Sequence, residues 1–165
     1  MDVFTATPFE GNALAVVLDG RSLSDEQMQA IAKETNLSET TFILPGDAAI
    51  EQERGVKVRI FTVQEELPFA GHPTLGTAFV LRGSGGASHV SLDLKVGTVT
   101  VEFENRDNQP TFGEMRQNDP KFLATHSHGE VARVLGLNES DFDTNLPIET
   151  ISTGLPFTVA AIRSF

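Results

Sequence analysis

The stretch Val90-Ser91-Leu92-Asp93-Leu94-Lys95-Val96-Gly97-Thr98-Val99-Thr100-Val101-Glu102-Phe103 contains two runs in which apolar residues alternate with more polar ones. Alternation with a period of two is typical of a β-strand that is buried on one face. Only Lys95-Val96-Gly97 separates the runs, and a connection this short predicts a β-hairpin. Strands joined without a helix indicate an antiparallel sheet rather than repeated βαβ units.

Shorter apolar runs predict the remaining strands. Val56, Val58 and Ile60 alternate with Lys57 and Arg59, which indicates a strand with one solvated face. The other candidate strands are 3–5, 14–18, 40–44, 112–116, 148–152 and 157–162, whereas 104–109 is predicted as a loop and 119–127 as a linker. Because strands outnumber helices and often follow one another directly, the predicted class is α+β with a largely antiparallel sheet.

Three segments carry helix-start and helix-stop signals. The starts are Ser24-Asp25-Glu26-Gln27, His72-Pro73 and Ser127-His128-Gly129-Glu130, and the corresponding stops are Asn36, Gly83 and Gly136. The first and third starts are capping boxes, and the second places proline at the predicted first helical position. The stops are residues that tolerate the left-handed backbone at the end of a helix.

The composition narrows the function classes. The 165 residues include 12 Lys+Arg and 23 Asp+Glu, a net charge of −11, which makes nucleic acid and anionic membranes unsuitable partners. No cysteine is present, which excludes disulfides, thiolate metal sites and thiol nucleophiles. The start shows no signal peptide, and the nearby apolar run 13–18 is too short to span a bilayer, so a cytoplasmic location is predicted.

Glu39 is the first candidate for acid/base chemistry. It follows the first predicted helix and precedes Phe42, Ile43 and Leu44, which are apolar on both faces of the predicted strand. A strand of this kind is normally buried on both sides, and desolvation moves a carboxyl group towards the working range of a general acid/base. A solvated glutamate at a strand start explains the residue more simply, because glutamate is rarely buried without a partner.

The second candidate is the segment Glu66-Leu67-Pro68-Phe69-Ala70-Gly71-His72-Pro73-Thr74-Leu75-Gly76. Gly71 permits an unusual backbone angle, Pro73 fixes the first turn, and the N–H groups of Thr74 and the next residue are predicted to point off the helix start towards a substrate carboxylate. The helix dipole favours a neutral His72 ring that hydrogen-bonds or relays protons. The alternative is that His72 is only an N-cap and Gly76 only a close-packing residue.

The remaining polar motifs are weaker. Asn12, at the end of the turn Pro8-Phe9-Glu10-Gly11-Asn12, is a candidate substrate ligand, although Gly-Asn is also common turn chemistry. His126 and His128 have no acidic third ligand in a fixed register, so no metal site is predicted. The sequence has no glycine-rich nucleotide loop and no serine nucleophile elbow.

Taken together, six segments follow one another in a recognisable order and spacing. They are Asp2-Val3-Phe4-Thr5, Pro8-Phe9-x-Gly11-Asn12, Ala15-Val16-Val17-Leu18-Asp19, Leu23-Ser24-x-x-Gln27-Met28-Gln29, Asn36-Leu37-Ser38-Glu39-Thr40 and Phe69-Ala70-Gly71-His72-Pro73-Thr74. The set closely resembles the phenazine-biosynthesis isomerase-like (PhzF-like) family, within the diaminopimelate-epimerase fold. The segment 152–156 also resembles the entry into the second half of that family. Ala13 stands where the family commonly has proline.

The resemblance implies two similar halves, each a mostly antiparallel, barrel-like sheet wrapped around a central helix. Family members are nearly twice this length, so we expect 1–118 to be the first half and 119–165 a linker with the incomplete start of the second. The glutamate matching Glu39 moves a proton between carbons of a cyclic dihydro-hydroxyanthranilate, and the histidine matching His72 lies beside it. The helix start 71–74 helps to hold the substrate, and an aspartate and a serine of the second half complete the site.

The leading hypothesis is therefore a cofactor-independent isomerase that shifts a proton on a small cyclic carboxylic acid, inactive as this fragment. Epimerases of this fold use two thiols, which this sequence lacks. The alternatives are a related enzyme acting on another small carboxylate, or a non-catalytic binding protein that retains the fold. The expected partners are a small-molecule carboxylate and a second copy of the chain in a homodimer.

Overall fold

In the computed structural model, which describes residues 1–105 and 111–163, the chain forms two compact units, Met1–Arg116 (unit 1) and Gln117–Phe165 (unit 2). The strands of unit 1 are β1 (Asp2–Val3), β2 (Asn12–Val17), β3 (Glu39–Leu44), β4 (Val56–Phe61), β5 (Glu66–Leu67), β6 (His89–Leu94), β7 (Gly97–Glu104) and β8 (Phe112–Met115). Its helices are α1 (Asp25–Thr35), α2 (Ala48–Arg54) and α3 (Gly71–Arg82), followed by a 3₁₀ turn at Gly83–Gly85. Residues 106–109 of the predicted loop 104–109 lie outside the described residues.

The strands of unit 1 form one sheet in the order β1-β2-β3-β4-β6-β7-β8, with β5 added beside β4. The predicted hairpin is confirmed, because β6 and β7 pair antiparallel from His89–Glu102 to Leu94–Gly97. The largely antiparallel description needs a correction: β2 pairs with β3 and β4 pairs with β6 in parallel. In each of these pairs a helix lies between the strands along the chain, as parallel strands require.

Helix α3 is the centre of unit 1. It contacts strands from one edge of the sheet, β1, to the other edge, β8, so that the sheet curls around it. Gly76 is needed for this close approach, because a Cβ atom there would lie 2.6 Å from the side chain of Leu14 and 2.9 Å from that of Val3. The main core fills the space between helix and sheet and comprises Ile43, Val58, Ile60, Phe69, Ala78, Leu92, Leu94, Val99 and Val101. The predicted α+β class with a central helix is confirmed.

Helix α1 covers the opposite face of the sheet. Its residues Met28 and Ala32 pack with Phe42 and Phe61 in a second, smaller core. Strand β3 therefore lies between two helices, and its four central residues are all buried. The expectation of a strand buried on both faces is confirmed, and it places Glu39 at the beginning of such a strand.

The three predicted helices are present, and the first and third begin at their predicted caps. Ser24 and Ser127 form the two capping boxes, and Asn36, at φ 51°, ends α1 in the left-handed conformation. Helix α2 was not predicted, since its seven residues have no buried member and hence no apolar stripe. No helix among the described residues is long and apolar enough to cross a bilayer.

Unit 2 consists of β9 (Lys121–His126), α4 (His128–Leu135), a 3₁₀ turn (Glu139–Asp141), β10 (Ile148–Ser152) and β11 (Pro156–Val159). The strands form a sheet in the order β11-β10-β9. The prediction of a linker over 119–127 is wrong for most of its length, because β9 pairs antiparallel with β10 there. The small core of the unit contains Ala132, Phe142 and Ile148.

Candidate active site

Strand β3 presents its side chains alternately to two helices. Glu39 approaches His72 of α3, and the Oγ1 of Thr77 in the same helix donates a 2.8 Å hydrogen bond to Thr41. Thr40, between them, lies 2.9 Å from Thr35 of α1, hydroxyl to hydroxyl. Because successive residues of a strand face opposite sides, the burial of Phe42 against α1 fixes Glu39 on the α3 side.

The start of α3 differs from its predicted form. Ala70 is the N-cap and Gly71 the first helical residue, so that Pro73 occupies the third position rather than the first. Neither Gly71 nor His72 has a positive φ, so the expectation of an unusual backbone angle at Gly71 is wrong. His72 is not the N-cap, which removes that explanation of its presence. Proline is accommodated because the first turn of a helix needs none of its own N–H groups.

The N–H groups available at this helix start also differ from the expectation. The Thr74 N–H donates to the Ala70 carbonyl at 3.3 Å, and the Thr74 hydroxyl donates to the same oxygen at 2.7 Å. Pro73 has no N–H, and the Ala70 side chain caps nothing. The N–H groups of Gly71 and His72 are therefore the ones in the first turn that no intrahelical bond uses.

Glu39 and His72 meet where β3 and α3 begin. The Oε2 atom of Glu39 lies 3.3 Å from the Nε2 atom of His72, and the two side chains are only 17% and 9% exposed. Both atoms are themselves buried, yet the alignment between them is not that of a hydrogen bond and neither has another partner among the described residues. Buried polar atoms are normally paired, so each such atom calls for an explanation. Catalytic groups are one class in which alignment is completed only when substrate binds.

Asn12 is the first residue of β2 and is exposed. The parallel register pairs Leu14 with Glu39, so β2 and β3 begin at the same end of the sheet. Asn12 stands two residues before the partner of Glu39, on the same side of its strand as Leu14. The structure thus places Asn12 at the end of the sheet where Glu39 and His72 lie.

A second charged cluster in unit 1 was not anticipated. The Arg59 guanidinium donates to both carboxylate oxygens of Glu66, at 2.8 and 2.7 Å, and to Asp25 at 2.6 Å. The Lys95 ammonium lies 2.7 Å from Glu66 as well. The Arg59 guanidinium beside it holds the pKa of the Glu66 carboxyl below its ordinary value, and Glu66 raises the pKa of Arg59 in turn.

The sequence pattern had assigned Arg59 to a solvated strand face, but its side chain is only 19% exposed. Its partners Asp25 and Glu66 lie on α1 and β5, and only the folded topology brings these elements together. Nothing in the local pattern around Arg59 could have indicated them. The buried Thr41–Thr77 pair was missed for the same reason, since threonine carries no signal of its own in a strand or a helix.

The sequence model of the PhzC-PhzF family, described as phenazine biosynthesis-like protein, matches residues 1–165. This chain belongs to that family. The trans-2,3-dihydro-3-hydroxyanthranilate isomerase of Pseudomonas chlororaphis is 40% identical over 158 residues, which cover 93% of this chain and 52% of that protein. The chain spans about half the length of the curated relatives it matches.

Solved structures agree with this assignment. A protein described as a predicted epimerase from Pseudomonas aeruginosa superposes with a TM-score of 0.84 at 36% identity, over 98% of this chain and 57% of that chain. A phenazine biosynthesis protein of the PhzF family from Bacillus anthracis gives 0.80 at 33% identity, over 98% and 54%. The resemblance noted from the sequence motifs is confirmed.

Proposed function

We propose that this chain carries one half of the acid/base site of an isomerase that shifts a proton on a small cyclic carboxylic acid of the dihydro-hydroxyanthranilate type, without a cofactor. The observation that carries the proposal is the buried Glu39–His72 pair, whose facing oxygen and nitrogen lie 3.3 Å apart without a hydrogen-bond partner. The isomerase activity of the Pseudomonas relative supports the reaction class.

In the proposed reaction Glu39 takes a proton from one substrate carbon and returns it to another while the double bond moves between them. No electron is gained or lost overall, so no redox partner is needed. His72 orients the carboxylate of Glu39 and forms a hydrogen bond with it that adjusts as the charge of Glu39 changes. One carboxyl group suits a shift on one face of the substrate, whereas inversion with two thiols is excluded by the absence of cysteine.

The start of α3 is proposed to hold the substrate carboxylate. The unused N–H groups of Gly71 and His72 and the positive end of the helix dipole favour a negative charge there. Pro73 and Thr74 are buried and shape this first turn. Asn12 supplies a side-chain amide at the same end of the sheet. These assignments account for every substrate-binding residue expected from the sequence.

The proposal extends to a protein of full family length that contains this sequence. We assign unit 1 to the first epimerase-like half, expected over 1–118, and 119–165 to the beginning of a second half that completes the site. We therefore expect the 165 residues alone to be inactive, because charge stabilisation weakens where one wall of a site is water. A homodimer and a cytoplasmic location remain predictions from the sequence.

The test uses a protein of full family length that contains this sequence. Turnover in D₂O is expected to place deuterium in the product, and Glu39→Gln is expected to lower kcat by about 10²-fold or more. Glu34→Gln, the same change at an exposed position of α1, is the matched control and should leave kcat unchanged. Retained turnover in Glu39→Gln would overturn the role of Glu39.

The substrate needs a separate measurement. Deuterium exchange with dihydro-hydroxyanthranilate is compared with exchange into a panel of other small cyclic and acyclic carboxylates. Exchange that requires Glu39 but occurs only with another carboxylate would replace the substrate and keep the reaction class. Tight binding of a carboxylate without any exchange would instead favour a binding protein that retains the fold.

A further inference from the structure

Glu39 and His72 are both connected along the chain to one rung of the sheet. Residue Thr40, next to Glu39, pairs with Phe61 of β4, and Phe61 pairs on its other side with Glu66 of β5. From Glu66 the chain runs directly to the start of α3 and to His72. Phe61 of β4 therefore lies between the two segments that carry the proposed site. The strand of Glu39 pairs with it on one side, and the segment that leads to His72 pairs with it on the other.

Strand β5 is the weak member of this arrangement, because it consists of only Glu66–Leu67. Isolated two-residue pairing contributes little by itself, so other contacts must hold the segment in register. Two are present. Phe69, just beyond β5, is buried in the main core, and the Glu66 side chain is held by the two-pronged contact from Arg59.

Arg59 is itself held firmly. Its guanidinium lies 5.0 Å from the centre of the Phe61 ring and donates to Asp25 at the start of α1. A planar guanidinium that makes two parallel bonds to a carboxylate fixes direction as well as distance. At 14% exposure Glu66 is sheltered from water, which strengthens the pair relative to a surface ion pair.

The turn between β4 and β5 is braced in the same way. The Thr62 N–H donates to the Glu65 carbonyl at 2.8 Å, and the Gln29 side-chain amide of α1 donates to the Thr62 carbonyl at 2.8 Å. The hydroxyl of Thr62 accepts from the N–H of Glu65 at 3.0 Å. The turn from β4 to β5 is therefore held by hydrogen bonds, and Arg59–Glu66 adds a charged link between the two strands in which both side chains are sheltered from water.

We propose that Arg59 and Glu66 are positioning residues for the reaction, which set the distance between His72 and Glu39 by fixing β5 beside β4. The inference rests on the proposed function for its meaning in catalysis, but the mechanical part concerns this chain alone. It predicts that loss of the pair loosens the start of α3 and lowers the rate of the chemical step, while substrate affinity changes little.

Kinetics of the full-length protein test the catalytic part. Glu66→Gln keeps the backbone pairing but removes the charge, and it is expected to lower kcat about tenfold with KM within about twofold, because small misplacements of reacting groups are costly. Asp25→Asn weakens the other carboxylate contact of Arg59, and because Asp25 is 75% exposed and its ion pair is screened by water, it serves as the matched control with kcat within about twofold. Arg59→Lys should fall between the wild type and Arg59→Gln, since it keeps the charge but not the two-pronged geometry.

Hydrogen exchange of the 165-residue chain tests the mechanical part without substrate. The Thr62 and Thr74 amides, which donate to Glu65 and Ala70, should lose protection about tenfold in Glu66→Gln and retain it in Asp25→Asn. An unchanged kcat in Glu66→Gln, or an equal loss in Asp25→Asn, overturns the positioning role. If Glu39→Gln retains turnover while exchange responds as expected, the proposed function fails and the bracing of β5 stands.

Discussion

Glu39 and Glu66 are similarly sheltered, with side chains 17% and 14% exposed, and each lies beside a basic side chain of unit 1, His72 or Arg59. Their surroundings are nevertheless opposite. Glu66 receives two hydrogen bonds from Arg59 and a third contact from Lys95, whereas the buried oxygen of Glu39 receives none from the described residues. Burial alone therefore does not distinguish a structural carboxylate from one that is proposed to carry a proton.

The difference lies in how many donors accompany the burial. A carboxylate that is fully hydrogen-bonded is stabilised as an anion, which is why the pKa of Glu66 lies below its ordinary value. Such a group is a poor proton carrier near neutral pH, because it releases protons too readily to accept them. A carboxylate with a free, sheltered oxygen can bind a proton or a substrate group instead, and this is the property that the proposed function requires of Glu39.

The largest expected contrast is in the stability of the 165-residue chain. Glu66→Gln removes the charge that Arg59 and Lys95 contact and leaves Arg59 only its more exposed carboxylate partner Asp25, which should lower the free energy of unfolding by about 1–3 kcal/mol. Glu39→Gln removes no hydrogen bond and should change it by less than about 0.5 kcal/mol. Urea titration followed by circular dichroism measures both, since the chain has no Trp or Tyr for fluorescence. Equal losses in the two variants would remove the distinction drawn between them.

The pH dependence of the same comparison gives a second measurement. Because the folded-state pKa of Glu66 is lowered, the folded chain binds fewer protons than the unfolded chain in the acid range. The stabilisation is complete above the unfolded pKa of about 4.3 and is lost as the pH falls through the lower folded value. The difference between wild type and Glu66→Gln should thus be constant near neutral pH and shrink below about pH 4. A difference that persists in acid would show that the charge of Glu66 is not its source.

The sequence predicts a role for Glu39 but none for Glu66, which is only the first residue of the second candidate segment. Glu39 was found because β3 is apolar on both faces, a pattern that records its position between α1 and α3. Glu66 has no comparable signal, because its partners Arg59 and Lys95 are separated from it in the sequence and meet it only through the sheet order. Local patterns report the burial of a strand, but they do not report which charges the topology will bring together.

The helices show the same limit at a finer scale. The sequence predicts the start of α3 two residues late, with Pro73 as the first helical residue. The preference of proline for the first position is statistical, and the second and third positions also lack intrahelical N–H bonds. The short β9 was taken for a linker because its six residues, Lys121–His126, include no buried one. For β9 the pattern is faint because no buried apolar face imposes a period on it.

A neutral contact between the same strand and helix sharpens the comparison. The Thr77 hydroxyl donates to Thr41 at 2.8 Å, one rung deeper than Glu39 and His72. Thr77→Val, which keeps the shape of the side chain, should lower the free energy of unfolding by about 1 kcal/mol. Thr35→Val provides the matched control, because Thr35 is an exposed residue of the other helix, α1, and its hydroxyl lies 2.9 Å from that of Thr40 in β3. A larger loss in Thr35→Val would contradict the greater importance of the buried pair.

The smallest effect is expected where a carboxylate has good hydrogen bonds but no shelter. Arg21 contacts both carboxylate oxygens of Asp19, at 2.9 and 2.6 Å, and lowers the pKa of Asp19 to about 2. The geometry resembles that of Arg59 and Glu66, yet the two side chains are 61% and 49% exposed. Water screens such a pair and competes for both partners, so Asp19→Asn should leave the urea midpoint at neutral pH unchanged within error. A shift as large as that of Glu66→Gln would mean that two-pronged geometry stabilises this fold without shelter from water, and it would remove the reason for assigning a positioning role to Arg59 and Glu66 rather than to any well-formed ion pair.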